Sequence, residues 1–137
     1  MIHLKRFNEK IQWNRDRPEL LKFCEEYLAY LLDEGFDVSV RLYERENKSY
    51  RNGIRDEGYI SIQSKNNTFK WNDVKEDFIP FLEMLVIKYD LGERLVVELI
   101  PSIGNTRFYT GSADIKMILD GRLTSRVQLE EIRIKDW

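Results

Sequence analysis

The feature that most constrains how this chain can fold is a short pattern used twice at one fixed spacing. Ile2, Leu4, Asn8, Ile11, Trp13 and Asn14 recur as Ile60, Ile62, Asn66, Phe69, Trp71 and Asn72, each pair 58 positions apart with no gap. In both copies an apolar alternation passes through a polar turn, and the Trp-Asn pair then opens an amphipathic helical stretch. Alternation at period two lines one face of a strand, whereas recurrence near 3.6 lines one side of a helix. The spacing predicts a duplicated β-β-α-β unit. One such unit has too little apolar surface to close a core alone, so the two copies are expected to pack together.

In the first copy, Ile2 and Leu4 alternate with His3 and Lys5, Asn8-Glu9-Lys10 makes a turn, and Ile11-Gln12-Trp13 returns, which predicts a hairpin. Asp16 and Glu19 stand at capping-box spacing, and Pro18 would then fall in the first helical turn, where its missing N–H has no partner to lose. Leu20, Cys24, Tyr27, Leu28 and Leu31 continue one helical stripe as far as Gly35, a residue suited to the positive φ that ends a helix. Phe36, Val38, Val40 and Leu42 form a strand with one wet face. Residues 45–58 read as a polar connection with an Asn52-Gly53 turn signal, long for a compact domain.

The second copy predicts a hairpin of Ile60 and Ile62 with Phe69-Lys70-Trp71 around Lys65-Asn66-Asn67. Asn72 or Asp73 is the expected cap, and Val74, Phe78, Phe81, Leu82, Leu85 and Tyr89 form the stripe. Pro80 lies inside this helix and predicts a kink or a broken start. Ile79, Met84, Ile87 and Leu91 widen the apolar arc beyond one sheet face, so a homodimer through the helix at 73–90 is expected. Gly92 ends it, and Leu95, Val97 and Leu99 then parallel Val38, Val40 and Leu42. Beyond Pro101 the copies diverge into a short strand at 107–110, helical turns capped by Ser112 with Ile115, Ile118 and Leu119, and a last strand through Val127, Leu129, Ile132 and Ile134. Its alternation slips at Glu130-Glu131, as a β-bulge would produce. The expected class is α+β, mainly antiparallel with two long helices. One domain spans residues 1–137, divided into a pseudo-repeat at 1–57, a second at 58–110 and a C-terminal extension at 111–137.

A chain of 137 residues, 42% apolar, is long enough to bury a single core. Its 22 basic and 24 acidic residues give a net charge of −2, which argues against a general binder of nucleic acid or membrane surface. Cys24 is the only cysteine, so no internal disulfide and no multi-cysteine metal site can form. With no signal-peptide pattern and no apolar run of membrane length, the expected location is the reducing cytoplasm.

No catalytic, metal or cofactor motif stands out, and a non-enzymatic protein is expected. His3 sits on the polar side of a terminal strand, and Cys24 lies on a helical stripe where a small buried hydrophobe is its ordinary meaning. Gly104-Asn105-Thr106 lacks the lysine and spacing of a phosphate loop. Glu46-Asn47-Lys48 with Asp37 matches a fragment of a metal-nuclease core, but it lies along one strand and loop where such a core draws on two strands. Trp13 and Trp71 read as anchors between sheet and helix.

One stretch has a chemistry of its own. Between Arg41 and Arg55 there are five basic residues against two acidic ones, with Tyr43 and Tyr50 interleaved. The candidate partner-binding residues are therefore Tyr43, Arg45, Lys48, Tyr50, Arg51 and Arg55. Basic side chains among aromatics can track a phosphate backbone and stack on bases. The plainer alternative is a solvated loop, since Asp56-Glu57 follow directly. The balanced overall charge favours a protein partner, and the basic segment favours nucleic acid as the second reading.

The stretch Phe69-Lys70-Trp71-Asn72-Asp73-Val74-Lys75-Glu76-Asp77, with the lysine, asparagine, isoleucine and aromatic bias around it, resembles small accessory proteins of T-even-like tailed phages. The resemblance covers about ten residues. It implies a cytoplasmic phage product acting on a host or phage macromolecule, and it assigns no functional residue.

Overall fold

The computed structural model describes residues 11–46, 54–65, 67–89 and 94–136. The expected strand at 2–6 with His3 and its turn, the Asn52-Gly53 turn, Gly92, and the candidates Lys48, Tyr50 and Arg51 lie outside the described residues. Within them the order is α1 (Trp13–Tyr27), α2 (Ala29–Asp33), β1 (Phe36–Glu46), β2 (Ile54–Ser64), α3 (Trp71–Tyr89), β3 (Leu95–Pro101), β4 (Arg107–Thr110), α4 (Gly111–Leu119) and β5 (Leu129–Asp136). The fold is α+β.

Both long helices begin at their tryptophans. The α1 start precedes the expected capping box, so Asp16 is inside the helix and Pro18 is its sixth residue. Asp16 folds back to accept the Gln12 N–H at 3.0 Å, and Asp73 accepts the Lys70 N–H at 2.8 Å. At α4 the N-cap position falls on Thr110 and Ser112 lies inside the helix; Asp114 accepts the Thr110 N–H at 3.0 Å. The same device thus opens α1, α3 and α4, with a carboxylate near the positive end of each dipole.

The stripe expected to run unbroken to Leu31 bends at Leu28, where φ is −113° and ψ 21°, and divides α1 from α2. Leu28 and Leu31 are nonetheless both buried. The broken start expected from Pro80 does not occur: α3 is one helix from Trp71 to Tyr89. Pro80 is exposed, so water can take up the Glu76 carbonyl that the proline leaves without a donor. Gly35 has a φ of 90° and closes α2 as its sequence position predicts.

The strands form one antiparallel sheet in the order β1-β2-β5-β3-β4. The expected hairpin between residues 60–63 and 69–71 is absent. Instead β2 pairs with β1 from Phe36↔Ser64 to Glu46↔Ile54 and with β5 from Ile60↔Ile134 to Gln63↔Glu131. Phe69 makes a single bridge to Leu129 before Trp71 enters the helix. A three-residue return cannot compete with an eleven-residue partner whose Val38 and Val40 stand opposite Ile62 and Ile60. The supposed connection at 45–58 is accordingly strand at both of its ends, over 45–46 and 54–58. In β5, Ile100 pairs with Glu131 but Pro101 with Leu129. Glu130 is the unpaired extra residue, the bulge that the slipped alternation predicts, and it lets Leu129 and Ile132 both enter the core.

The core joins helix residues Leu20, Phe23, Val74, Phe78, Phe81, Leu82 and Leu85 to strand residues Val40, Ile60, Ile62, Leu95, Val97, Leu99, Ile132 and Ile134. Trp71 is 1% exposed, and its Nε1–H donates to the Leu123 carbonyl at 3.2 Å, tying the segment before β5 to the α3 start. Most of the wide α3 arc is thus covered within the chain, through contacts such as Phe23–Phe81 at 5.5 Å between ring centroids. Met84 and Ile87 remain outside it, 36% and 56% exposed. None of the described helices is long and apolar enough to cross a membrane.

Candidate functional site

The candidate site follows from how far the first two strands outrun the rest of the sheet. β2 has β5 on its second side only from Ile60 to Gln63. From Arg41↔Tyr59 to Glu46↔Ile54 the β1–β2 ladder continues without a third described strand, as a two-stranded arm. Alternation explains it. The period-two pattern of Phe36, Val38, Val40 and Leu42 does not stop at the apolar residues but continues as Arg41, Tyr43, Arg45 against Leu42, Glu44, Glu46.

The arm is fixed at its base by one close approach. Trp13, 3% exposed, lies on β2 at Gly58. A Cβ there would come 2.7 Å from the Arg41 carbonyl oxygen and 2.8 Å from Trp13 Cδ2. Only a glycine admits the indole at this distance. The Trp-Asn pair therefore anchors the helix start on the hairpin, as a structural tryptophan would.

The sheet face turned away from the described helices carries a polar network. Ser61 Oγ donates to Glu131 Oε2 at 2.6 Å, and Arg133 Nε lies 2.9 Å from the same oxygen. The Arg133 guanidinium sits 4.5 Å from the Tyr59 ring centroid, and Lys135 Nζ lies 3.0 Å from Glu98 Oε1. Burial works against the Glu131 charge, but the bonds from Arg133 and Ser61 and the Arg133 charge outweigh it and hold the carboxyl below its ordinary value. Arg133 is raised in return, chiefly by its bond to Glu131. These groups balance one another's charge, which suits a rigid platform.

Of the sequence-predicted residues, Tyr43, Arg45 and Arg55 occupy arm positions, with Tyr43 opposite Glu57 and Arg45 opposite Arg55. By strand parity, positions 41, 43, 45, 55, 57 and 59 share one side of the ladder. Lys48, Tyr50 and Arg51 lie outside the described residues. Sequence reasoning missed Arg17, Gly58, Tyr59 and the Glu131–Arg133 pair. Tyr59 was within reach, because it stands opposite Arg41 once the alternation is followed to Glu46. The meeting of the Glu131–Arg133 pair with Ser61 and Tyr59 was not, because β5 joins β2 only through the sheet order.

For covalent chemistry the described residues offer little. Burial pushes the Cys24 thiol up to about 12, with Glu25 adding to the shift, so it stays protonated and inert at neutral pH. Among the described residues no three His, Cys, Asp or Glu side chains converge as a metal site. Compared with known protein families, with curated proteins and with solved structures, the chain matches none.

Proposed function

We propose that the chain is a non-enzymatic binding protein that engages another protein through the β1–β2 arm. The observation behind this reading is the arm itself, six register pairs without a third described strand, beginning where β5 leaves β2. A long outer strand offers its edge to a partner strand. Among the described strands β1 is also the outer one of the sheet, eleven residues long against four for β4 at the other edge. The likeness to phage accessory proteins fits a cytoplasmic factor acting on a host or phage macromolecule.

The test is a shortened arm. Residues 44–56 are replaced by Asn-Gly, which closes the Tyr43↔Glu57 pair with a two-residue turn and keeps the remaining register. Partners captured by the full chain from its native host should be lost by the shortened one. Equal capture by both would refute the reading.

Nucleic acid is the second reading, favoured by Arg41, Tyr43, Arg45 and Arg55 falling on one side of the ladder. Each phosphate contacted should then add about −0.7 to −0.9 to the log-log salt slope. Replacing Arg45, Lys48 and Arg51 together by Ala should flatten that slope by about two units. No binding to single- or double-stranded DNA or RNA at low salt would dismiss it.

A further inference from the structure

At the base of the arm lies an open depression of about 630 Å³, lined by Arg17, Ser39, Val40, Arg41, Leu42 and Tyr59. We propose that it binds an acidic peptide segment of the partner, with a carboxylate side chain held between Arg17 and Arg41. The proposal rests on the arm being a protein-contact surface and names the chemistry of what it contacts.

The two arginines arrive from different elements. Arg17 reaches from α1 to the sheet edge, where its Nε donates to the Val40 carbonyl at 3.1 Å. A guanidinium has five N–H donors, so four remain, on a group already held in place by the backbone. Arg41 follows Val40 on β1 and is exposed. Neither arginine forms an ion pair with a described residue, in contrast to Arg133 and Lys135, which face Glu131 and Glu98. Among the described residues the lining holds no carboxylate. Positive potential is thus concentrated where the wall also offers a serine hydroxyl and a tyrosine.

The rest of the lining decides what kind of anion belongs there. Leu42, 38% exposed, gives the depression an apolar side, which a partner's aliphatic side chain next to its carboxylate would cover. A phosphate backbone would have to continue across the neighbouring face past Asp37, where Arg133 and Lys135 are already taken up by Glu131 and Glu98. That face leaves a polyanion little uncompensated positive charge, whereas a single acidic side chain needs only the two arginines. Arg17 also occupies one backbone acceptor at the middle of the edge. A strand approaching β1 there must satisfy the guanidinium, and a carboxylate does so with two parallel bonds.

The experiment uses a fluorescein-labelled peptide of alternating Glu and Leu with Ser at both ends, read by anisotropy against the full chain. A peptide with Gln in place of every Glu and a labelled single-stranded oligonucleotide serve as comparisons. The Glu peptide should bind saturably, and the Gln peptide about tenfold more weakly or worse. Arg17→Gln and Arg41→Gln should each weaken the Glu peptide about tenfold, in keeping with hydrogen bonds to a charged group. Both side chains are exposed, and circular dichroism checks that the variants fold; the Glu-against-Gln comparison needs no variant. Equal binding of the two peptides, absence of saturable binding, or indifference to both substitutions would overturn the proposal. So would an oligonucleotide that displaces the peptide and loses affinity in the same variants, because the depression would then be a phosphate site. The shortened arm keeps all six of these residues and should still bind the Glu peptide. Failure of the pocket is therefore distinguishable from failure of the arm.

Discussion

Gly58→Ala is the sharpest probe of how the arm is joined to the body. The new methyl group would sit 2.7 Å from the Arg41 carbonyl oxygen and 2.8 and 2.9 Å from two indole carbons of Trp13. Neither neighbour yields easily, since one is ladder backbone and the other a buried ring. Overpacking of this kind costs about 1–3 kcal/mol. Replacing glycine also makes the unfolded chain less flexible, which returns about 0.4–1 kcal/mol. The net expectation is a loss of about 1–2 kcal/mol. With an unfolding entropy of about 2.1 cal/mol/K per residue, a chain of this length should lose roughly 3–7 °C in Tm. Differential scanning calorimetry measures it. The double-mutant cycle with Trp13→Leu adds the decisive comparison: the smaller side chain clears the site, so Gly58→Ala should cost distinctly less in that background. If Gly58→Ala leaves Tm unchanged or raises it, or costs as much beside Leu as beside Trp, the close approach does not hold the arm.

Glu131→Gln should destabilise the chain at pH 7 and cease to do so in acid. The folded carboxyl is lowered from 4.5, so its stabilisation is fully present above that value and is lost as pH falls through the folded value; urea titrations at pH 7 and pH 3 would show the difference shrink. Trp71→Phe removes the bond to the Leu123 carbonyl and part of a buried ring, for a loss of about 2–4 kcal/mol in the same assay. Met84 and Ile87 are the exposed apolar residues of α3; if the helix forms a homodimer, Ile87→Glu should shift the mass seen in light scattering at high micromolar concentration from dimer to monomer, and a monomeric wild type would dismiss the dimer.

Local chemistry was legible from the residues, and long-range pairing was not. The apolar stripe of α3, the positive φ of Gly35 and the bulge at Glu130 all leave periodic or positional traces in the sequence, and each is found in place. The start of α1 was misjudged because Asp16 and Glu19 suggested a capping box, whereas burial of Trp13 draws the first turn back to the tryptophan itself. The hairpin partner of β2 was misassigned because proximity in sequence favoured Phe69, while the winning partner is set by eleven matched positions on the preceding strand. As for the candidate site, of the basic and aromatic residues that line the depression only Arg41 stood in the basic segment read from the sequence. What could not be read is that Arg17, a helix residue, lines the same depression as Arg41 at the sheet edge, since that depends on where α1 packs.

The sheet order has a consequence for the route by which the chain assembles. β5 is the last strand in sequence and the middle one in space, so β1-β2 and β3-β4 can each form early as local pairs but have no contact with each other through the sheet until β5 arrives. Ser61 meets Glu131 across 70 positions, and the Ile11 N–H meets the Asp136 carboxylate across 125. Closure of such long loops comes late and slowly, because their entropy is lost before the contacts that reward it are made. Until then β2 and β3 both present open edges. A chain interrupted before Leu129 would keep them open, and its expected fate is aggregation.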